Sequence, residues 1–505
     1  MTAYFRRLAL ALLLSVSAIG TAAAQTNLRV GLAEDPDILD PSMARTYVGR
    51  IVFASICDKL FDIDEKLNIV PQLALSQETS ADGKTMTIKL RPGVKFHDGE
   101  VMDAAAVKYS LDRHLSWKFS VRKSELSSVE SVDVVDPLTI KLNLKAPFSP
   151  LLSQLTDRAG MMVSPKAAEA EGDRFGLKPV CAGPYKFVER VQQDRIVVEK
   201  FADYWNKDQV FIDKITYLPI VDGTVRLANL KSGGLELMER VLATDIKSVR
   251  DNPKLKLSKA VSLGYLGVML NLGNGPKANS PFGKDARVRQ AFELAIDRDA
   301  INQVVFNGEF VPGNQWVSPQ NPYYQEKFPI PKRDVAKAKA LLKEAGVTTP
   351  LTLDFMVPNG PENRAVAEIM QSMAAEAGFD LKLRVTEFAT SIKQAEEGDY
   401  QLYLFGWSGR ADPDGNAFII QACKASLNYA GYCDKDVDAA HLEARTKTDP
   451  AERKKAYEKI AAKVLPEGDF LFLYHPQVLI AHTDRLEGYR PMPDGLVRVI
   501  GLKLK

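Results

Sequence analysis

The sequence predicts an α/β protein with more than one domain. Three observations carry this. At 505 residues the chain is too long for one compact core, so about two or three domains are expected. Its later half alternates strand-like and helix-like segments in a β-α-β-α-β series, which implies strands lying side by side with helices packed on them. Its first third is instead rich in strands.

The elements follow in order. "TMTIKLRPGVKFHDGE" alternates at Met86, Ile88 and Leu90, then turns at Pro92-Gly93 and Asp98-Gly99. "DAAAVKYSLDR" has helical spacing, with Val107, Leu111 and His114 on one side. "VESVDVVDPLTIKLNL" gives two strands joined at Asp136-Pro137. In "VRQAFELAIDRDAI", Val288, Phe292, Ala295 and Ile296 share one helical face. A second helix carries Val335, Ala338, Leu341, Leu342 and Ala345, capped by Asp334 and ended by Gly346. "LTLDFMV" is the next strand, followed by a helix over "NRAVAEIMQSMAAEAG" that Gly378 closes. "FDLKLRVTEF" alternates at Phe379, Leu381, Leu383 and Val385, and a short helix leads to the strand "YQLYLFG". The following loop, "GWSGRADPDGN", leaves the carboxyl end of that strand, the edge at which open α/β sheets bind ligands.

Composition narrows the function. The chain holds 66 Lys+Arg and 64 Asp+Glu, a balance without the basic face that nucleic acid requires. Arg6 and Arg7, the apolar run "LALALLLSVSAIG" and the small residues at 22–25 form a secretory signal peptide over 1–24, with cleavage expected after Ala24. An oxidising compartment admits pairing of the four cysteines. Cys423 and Cys433 flank a short polar loop, whose closure would contribute about 3 kcal/mol. Cys57 and Cys181 are then left to each other, or free and buried. No CxxC occurs and the five histidines lack ligand spacing, so neither a metal site nor a cofactor is expected. His97 and Asp98 belong to a tight turn, and no GxSxG accompanies them.

Residues 71–113, "PQLALSQETSADGKTMTIKLRPGVKFHDGEVMDAAAVKYSLDR", resemble the signature region of the extracytoplasmic solute-binding proteins of family 5, the receptors of peptide, nickel and related ABC importers. "AGPYKFVE", "DYWNK", "FGKDARVRQAFELAIDRDAI", "GWSG" and "YHPQVLIAH" are similar to later blocks of that family, in the same order. The resemblance implies a periplasmic binding protein-like fold of class II, cluster C: two α/β lobes around a hinge plus a strand-rich extra domain. Domain I would comprise 26–52, 177–268 and 478–505, domain II 53–176, and domain III 269–477. Crossings near 268–271 and 474–478 would form the hinge, and ligand would be trapped between domains I and III. A disulfide of the dipeptide-binding members matches Cys423/Cys433.

In peptide-binding members the ligand loop carries an aspartate that holds the peptide's amino terminus. Here the loop runs Trp407, Ser408, Gly409, Arg410, so the charge is reversed. A guanidinium suits a carboxylate or phosphate. Alternatively Arg410 pairs with Asp412 or Asp414, and Asp412 is itself the candidate replacement carboxylate. Trp407 offers a flat apolar surface and one N–H, or closes the sheet end as a core residue. Arg45, Thr46 and Tyr47 match the opposite wall by position, and Tyr265, near the first crossing, is a further cleft candidate. The resemblance implies a monomeric periplasmic receptor that delivers an oligopeptide, opine or other small organic anion to permease subunits. A metal-chelate or haem carrier on the same fold and an exported hydrolase are the alternatives.

Overall fold

The structure, a computed structural model, describes residues 25–505. The expected signal peptide lies outside the described residues. Among them, no helix is long and apolar enough to cross a membrane.

Two large sheets organise the chain. The first has seven strands in the order Leu255–Val261, Gln477–Thr483, Leu237–Met238, Asn27–Leu32, Lys214–Pro219, Arg195–Lys200, Tyr185–Val191. Asn27–Leu32 pairs in parallel with Lys214–Pro219 and with Leu237–Met238. The second has six, in the order Val311–Pro312, Phe470–His475, Tyr265–Leu270, Leu402–Trp407, Leu351–Pro358, Phe379–Thr386. Its last three strands are the expected parallel series, linked by helices Pro361–Ala377 and Phe388–Glu396. A separate four-stranded antiparallel sheet, formed by Ala74–Thr79, Thr85–Leu90, Val129–Asp136 and Thr139–Leu144, has its own core around Ile88, Phe96, Val107 and Ile140.

The expected caps are made. Asp334 accepts from the Lys337 N–H at 2.9 Å, and Gly378 ends its helix at φ +102°. One expected helix is two. It breaks at Ile296, where Asp297 accepts from the Ala300 N–H and starts a second helix, Arg298–Phe306. Apolar spacing runs through the break, whereas the capping aspartate ends it.

The chain leaves the first sheet at Val261 and enters the second at Tyr265. Residues 268–271, expected as a crossing, instead complete a strand and the turn after it. The second crossing falls at Pro476, between strands Phe470–His475 and Gln477–Thr483. The two crossings are bonded to each other. Ser262 N–H donates to Pro476 O at 3.0 Å, and His475 Nδ1–H donates to Gly264 O at 2.9 Å.

Cys57 is bonded to Cys181 and Cys423 to Cys433. The helix after the second bridge, Lys435–Thr446, carries His441 fully buried, with no hydrogen-bond partner at either ring nitrogen among the described residues. Burial, with Arg445 nearby, pushes its pKa down to about 3. The unfolded chain therefore takes up this proton near pH 6.5 while the folded chain refuses it, so stability is lost as pH falls from about 6.5 towards 3. His441→Leu should remove the penalty. Denaturant titrations should show the variant gaining about 2 kcal/mol over the wild type between pH 7.5 and 5.

Candidate functional site

Strand Leu402–Trp407 ends beside the first crossing, with Trp407 opposite Tyr265. The loop that follows is pressed against that crossing. Gly409 has φ +78°, and a Cβ there would lie 2.2 Å from the Leu263 carbonyl carbon, so only glycine fits. Asn416 buckles the loop. Its Oδ1 accepts from the Arg410 N–H at 2.6 Å and from Trp407 Nε1–H at 3.1 Å, and its amide donates to Arg410 O at 3.0 Å. Trp407 also donates to Gly415 O. The indole is half-buried and its N–H is already used by the loop.

Arg410 is buried, at 6% exposure. It turns away from Asp412 and Asp414, which are held by Arg453 and Arg445. Its Nη1–H donates to Gly409 O, its guanidinium lies 4.8 Å from the Trp407 ring centre, and its Nε sits 2.8 Å from Asp157 Oδ2. Asp157 also meets Arg50 at 3.1 Å, and Arg50 Nη1–H donates to Ser408 Oγ at 3.2 Å. This knot joins three parts of the fold: helix Tyr47–Ile56 of the first lobe, the turn at Asp157, and the loop that follows strand Leu402–Trp407.

The knot is wider than one pair. Arg158 Nε stands 3.8 Å from Asp157, and Arg122 pairs with Glu125. Both arginines donate to Ala44 O. Four buried guanidiniums, Arg50, Arg122, Arg158 and Arg410, thus surround two carboxylates, Asp157 and Glu125. The Nε atoms of Arg122 and Arg158 have no hydrogen-bond partner among the described residues. Burial and the other arginines lower Arg158 to about 9 and Arg410 to about 10. Burial alone would raise Asp157, but Arg410, Arg50, Arg158 and Arg122 hold it well below the usual carboxylate range. Buried guanidiniums thus outnumber the buried carboxylates they meet here. Beside it, Gln154, Glu125, Trp407, Arg410, Phe418 and Arg445 border a small hollow.

The remaining expected residues are dispersed. Arg45 is exposed and pairs directly with Glu396 of helix Phe388–Glu396 in the second lobe. Thr46 Oγ1–H donates to Asp37 at 2.8 Å and Tyr47 O–H to Gly495 O at 2.7 Å. Asp412 is not a free replacement carboxylate, because Arg453 binds both its oxygens at 2.7 and 2.8 Å. Tyr265 does not reach the cleft. It is 2% exposed, packed edge-on against Phe470 and Phe472, with its O–H donated to Asn416 O. The sequence reading missed Arg50, Arg122, Asp157, Arg158 and Asn416. Only Asn416 left a signal, since an asparagine at the end of a Gly-rich turn commonly bonds its neighbours' backbone.

Comparison with known proteins identifies the family and the fold. The family model for bacterial extracellular solute-binding proteins, family 5 Middle, matches residues 68–429. The glutathione-binding protein GsiB of Pectobacterium atrosepticum is 33% identical over 472 residues, spanning 91% of this chain and 90% of that protein. GsiB of Salmonella paratyphi A is 31% identical, spanning 96% of each. Among solved structures, the periplasmic binding protein AgaA from A. tumefaciens R10, in complex with agropinic acid, superposes with TM-score 0.86 at 27% identity, over 95% of this chain and 99% of that one. The Helicobacter pylori protein DppA, in complex with the peptide STSA, reaches 0.87 at 23% identity, over 95% and 98%, and shares the fold. With two lobes joined by paired crossings and a charged loop between them, the chain belongs to family 5 of the bacterial extracellular solute-binding proteins, the substrate-binding proteins of ABC importers.

Proposed function

We propose that this protein captures a small, carboxylate-bearing organic solute, peptide-like or opine-like, between its two lobes and hands it to the permease of an ABC importer. The observation that carries this is the surplus of buried guanidiniums around Asp157 and Glu125. The relatives' ligands support it, since glutathione and agropinic acid both carry carboxylates. The lobes correspond to domains I and III and the four-stranded unit to domain II. The protein works as a periplasmic monomer, exported through residues 1–24. It performs no chemistry: ligand binds the closed form better and shifts the open–closed balance.

Arg410 is assigned as a closing residue, bonded to the opposite wall through Asp157 and facing the anion from the loop. Calorimetric titration with glutathione tests this. Arg410→Ala should weaken binding by about 2–5 kcal/mol, the usual cost of truncating one member of a buried charged set. Equal affinities for variant and wild type would overturn the assignment.

A further inference from the structure

The strand-rich unit meets the second lobe at a second point besides the arginine knot. Between strand Thr139–Leu144 and the short helix Leu151–Gln154 runs the segment "KAPFSP", residues 145–150. Lys145 N–H donates to Ser128 O at 2.9 Å, Pro147 lies against Gly83, and Phe148 is buried in the unit's own core. The segment is thus part of that unit's frame, and it presents Phe148 and Ser149 to helix Lys435–Thr446 of the second lobe.

The contact completes the end of that helix. A helix leaves its last carbonyls without intrahelical partners. Here Arg453, of the same lobe, donates to Ala444 O at 2.9 Å. The next donors come from the strand-rich unit. Ser149 N–H donates to Arg445 O at 2.8 Å, and Ser149 Oγ–H donates to Lys447 O. The Arg445 guanidinium faces two rings, 3.5 Å from the centre of Phe418 in its own lobe and 4.6 Å from the centre of Phe148. Its Nε stands 2.9 Å from Asp414 Oδ1, and both side chains are buried. A guanidinium over aromatic faces attracts more strongly where water is excluded. Ser124 adds a smaller touch, 3.5 Å from Ser426 in the loop closed by Cys423 and Cys433. Shortly after Ser149 the chain reaches Asp157, so one stretch of the strand-rich unit meets the second lobe at the helix end and again at Arg410.

We infer that Phe148, Ser149 and Arg445 form a latch by which the strand-rich unit closes on the second lobe, as a third wall beside the two lobes. Phe148 and Ser149 are positioning residues: they act on the balance between open and closed forms. A solute held only by the closed form binds more tightly as that form gains population, so the latch raises affinity for any solute the cleft accepts. This inference stands apart from the anion reading and does not depend on which solute is bound.

All four cysteines are bridged, so spin labels can be placed at two exposed sites, Glu130→Cys on the strand-rich unit and Lys455→Cys on the second lobe. Pulsed electron spin resonance on the whole protein, alone and with glutathione, then reads the spacing between the two bodies. The labelled wild type should populate a short spacing in at least one of the two conditions. Ser149→Ala should lower the ratio of short to long spacings about three- to ten-fold, the size of one lost hydrogen bond. Ser149→Thr, which keeps the hydroxyl, should restore it. Arg445→Lys keeps a charge beside Asp414 but loses the flat stack, and should lower the ratio by a similar factor. Long spacings alone in the wild type overturn the latch, as does a ratio that neither Ser149→Ala nor Arg445→Lys moves. A ratio moved by only one of them removes the other residue from the latch, and a loss in Ser149→Thr equal to that in Ser149→Ala overturns the role of the hydroxyl.

Discussion

Replacing Asp157 by asparagine should cost about 3–5 kcal/mol of stability, because it strips the central counter-charge from a buried set of guanidiniums. Asparagine keeps the size of the side chain, so packing is not the cause of the loss. Arg50, Arg122, Arg158 and Arg410 would then share Glu125 alone, in a site where burial already depresses Arg158 and Arg410. Denaturant titration of the ligand-free protein measures the effect. A coupling test locates it: Asp157→Asn combined with Arg410→Gln should cost clearly less than the sum of the two single changes. Strict additivity, or a neutral Asp157→Asn, would mean that the charge is balanced elsewhere and that Asp157 is not the centre of the knot.

The second large effect belongs to the bridges. Cys57 and Cys181 are 124 residues apart, Cys423 and Cys433 only 10. In the chain-entropy account, closing the longer loop removes more freedom from the unfolded chain, about 5 kcal/mol against about 3 for the shorter one. The Cys57→Ala/Cys181→Ala variant should therefore unfold at markedly lower denaturant than Cys423→Ala/Cys433→Ala. The reverse order would show that local strain relief or residual structure outweighs loop length here. The longer bridge also fixes where the strand-rich unit begins and ends, since it clasps the residue after helix Tyr47–Ile56 to the segment leading into strand Tyr185–Val191.

The sequence made some of this legible and hid the rest, for identifiable reasons. Strands Leu351–Pro358 and Phe379–Thr386, helix Pro361–Ala377 and its closing Gly378 were legible because local periodicity and capping coincide there. The break at Ile296 was masked because the apolar spacing continues across it. Tyr265 was misplaced for a related reason. Strand Tyr265–Leu270 is buried along nearly its whole length, so alternation cannot say which side chains face a cleft. The site was harder still. "SVRKSE" and "LTDRAG" look like ordinary charged surface, and nothing local shows that Arg122 and Arg158 are buried together or that Asp157 meets a loop roughly 250 residues further on. Arg410 stands out because it replaces an expected aspartate, yet the carboxylates its own loop offers, Asp412 and Asp414, are engaged by Arg453 and Arg445.

The seven-stranded sheet is composed of segments from the start, middle and end of the chain, and its next-to-edge strand, Gln477–Thr483, comes last in sequence among them. Strand Leu255–Val261 pairs with no other strand of that sheet, and Leu237–Met238 needs it for its second partner. As the chain is synthesised, the second lobe and the strand-rich unit have all their strands before the first lobe has its own. The first lobe therefore waits, with strand edges unsatisfied, until about the final thirty residues emerge. The first lobe's sheet is thus closed by the segment of the chain that arrives last, and the helix that carries Arg50 packs on a sheet still incomplete until Gln477–Thr483 has paired.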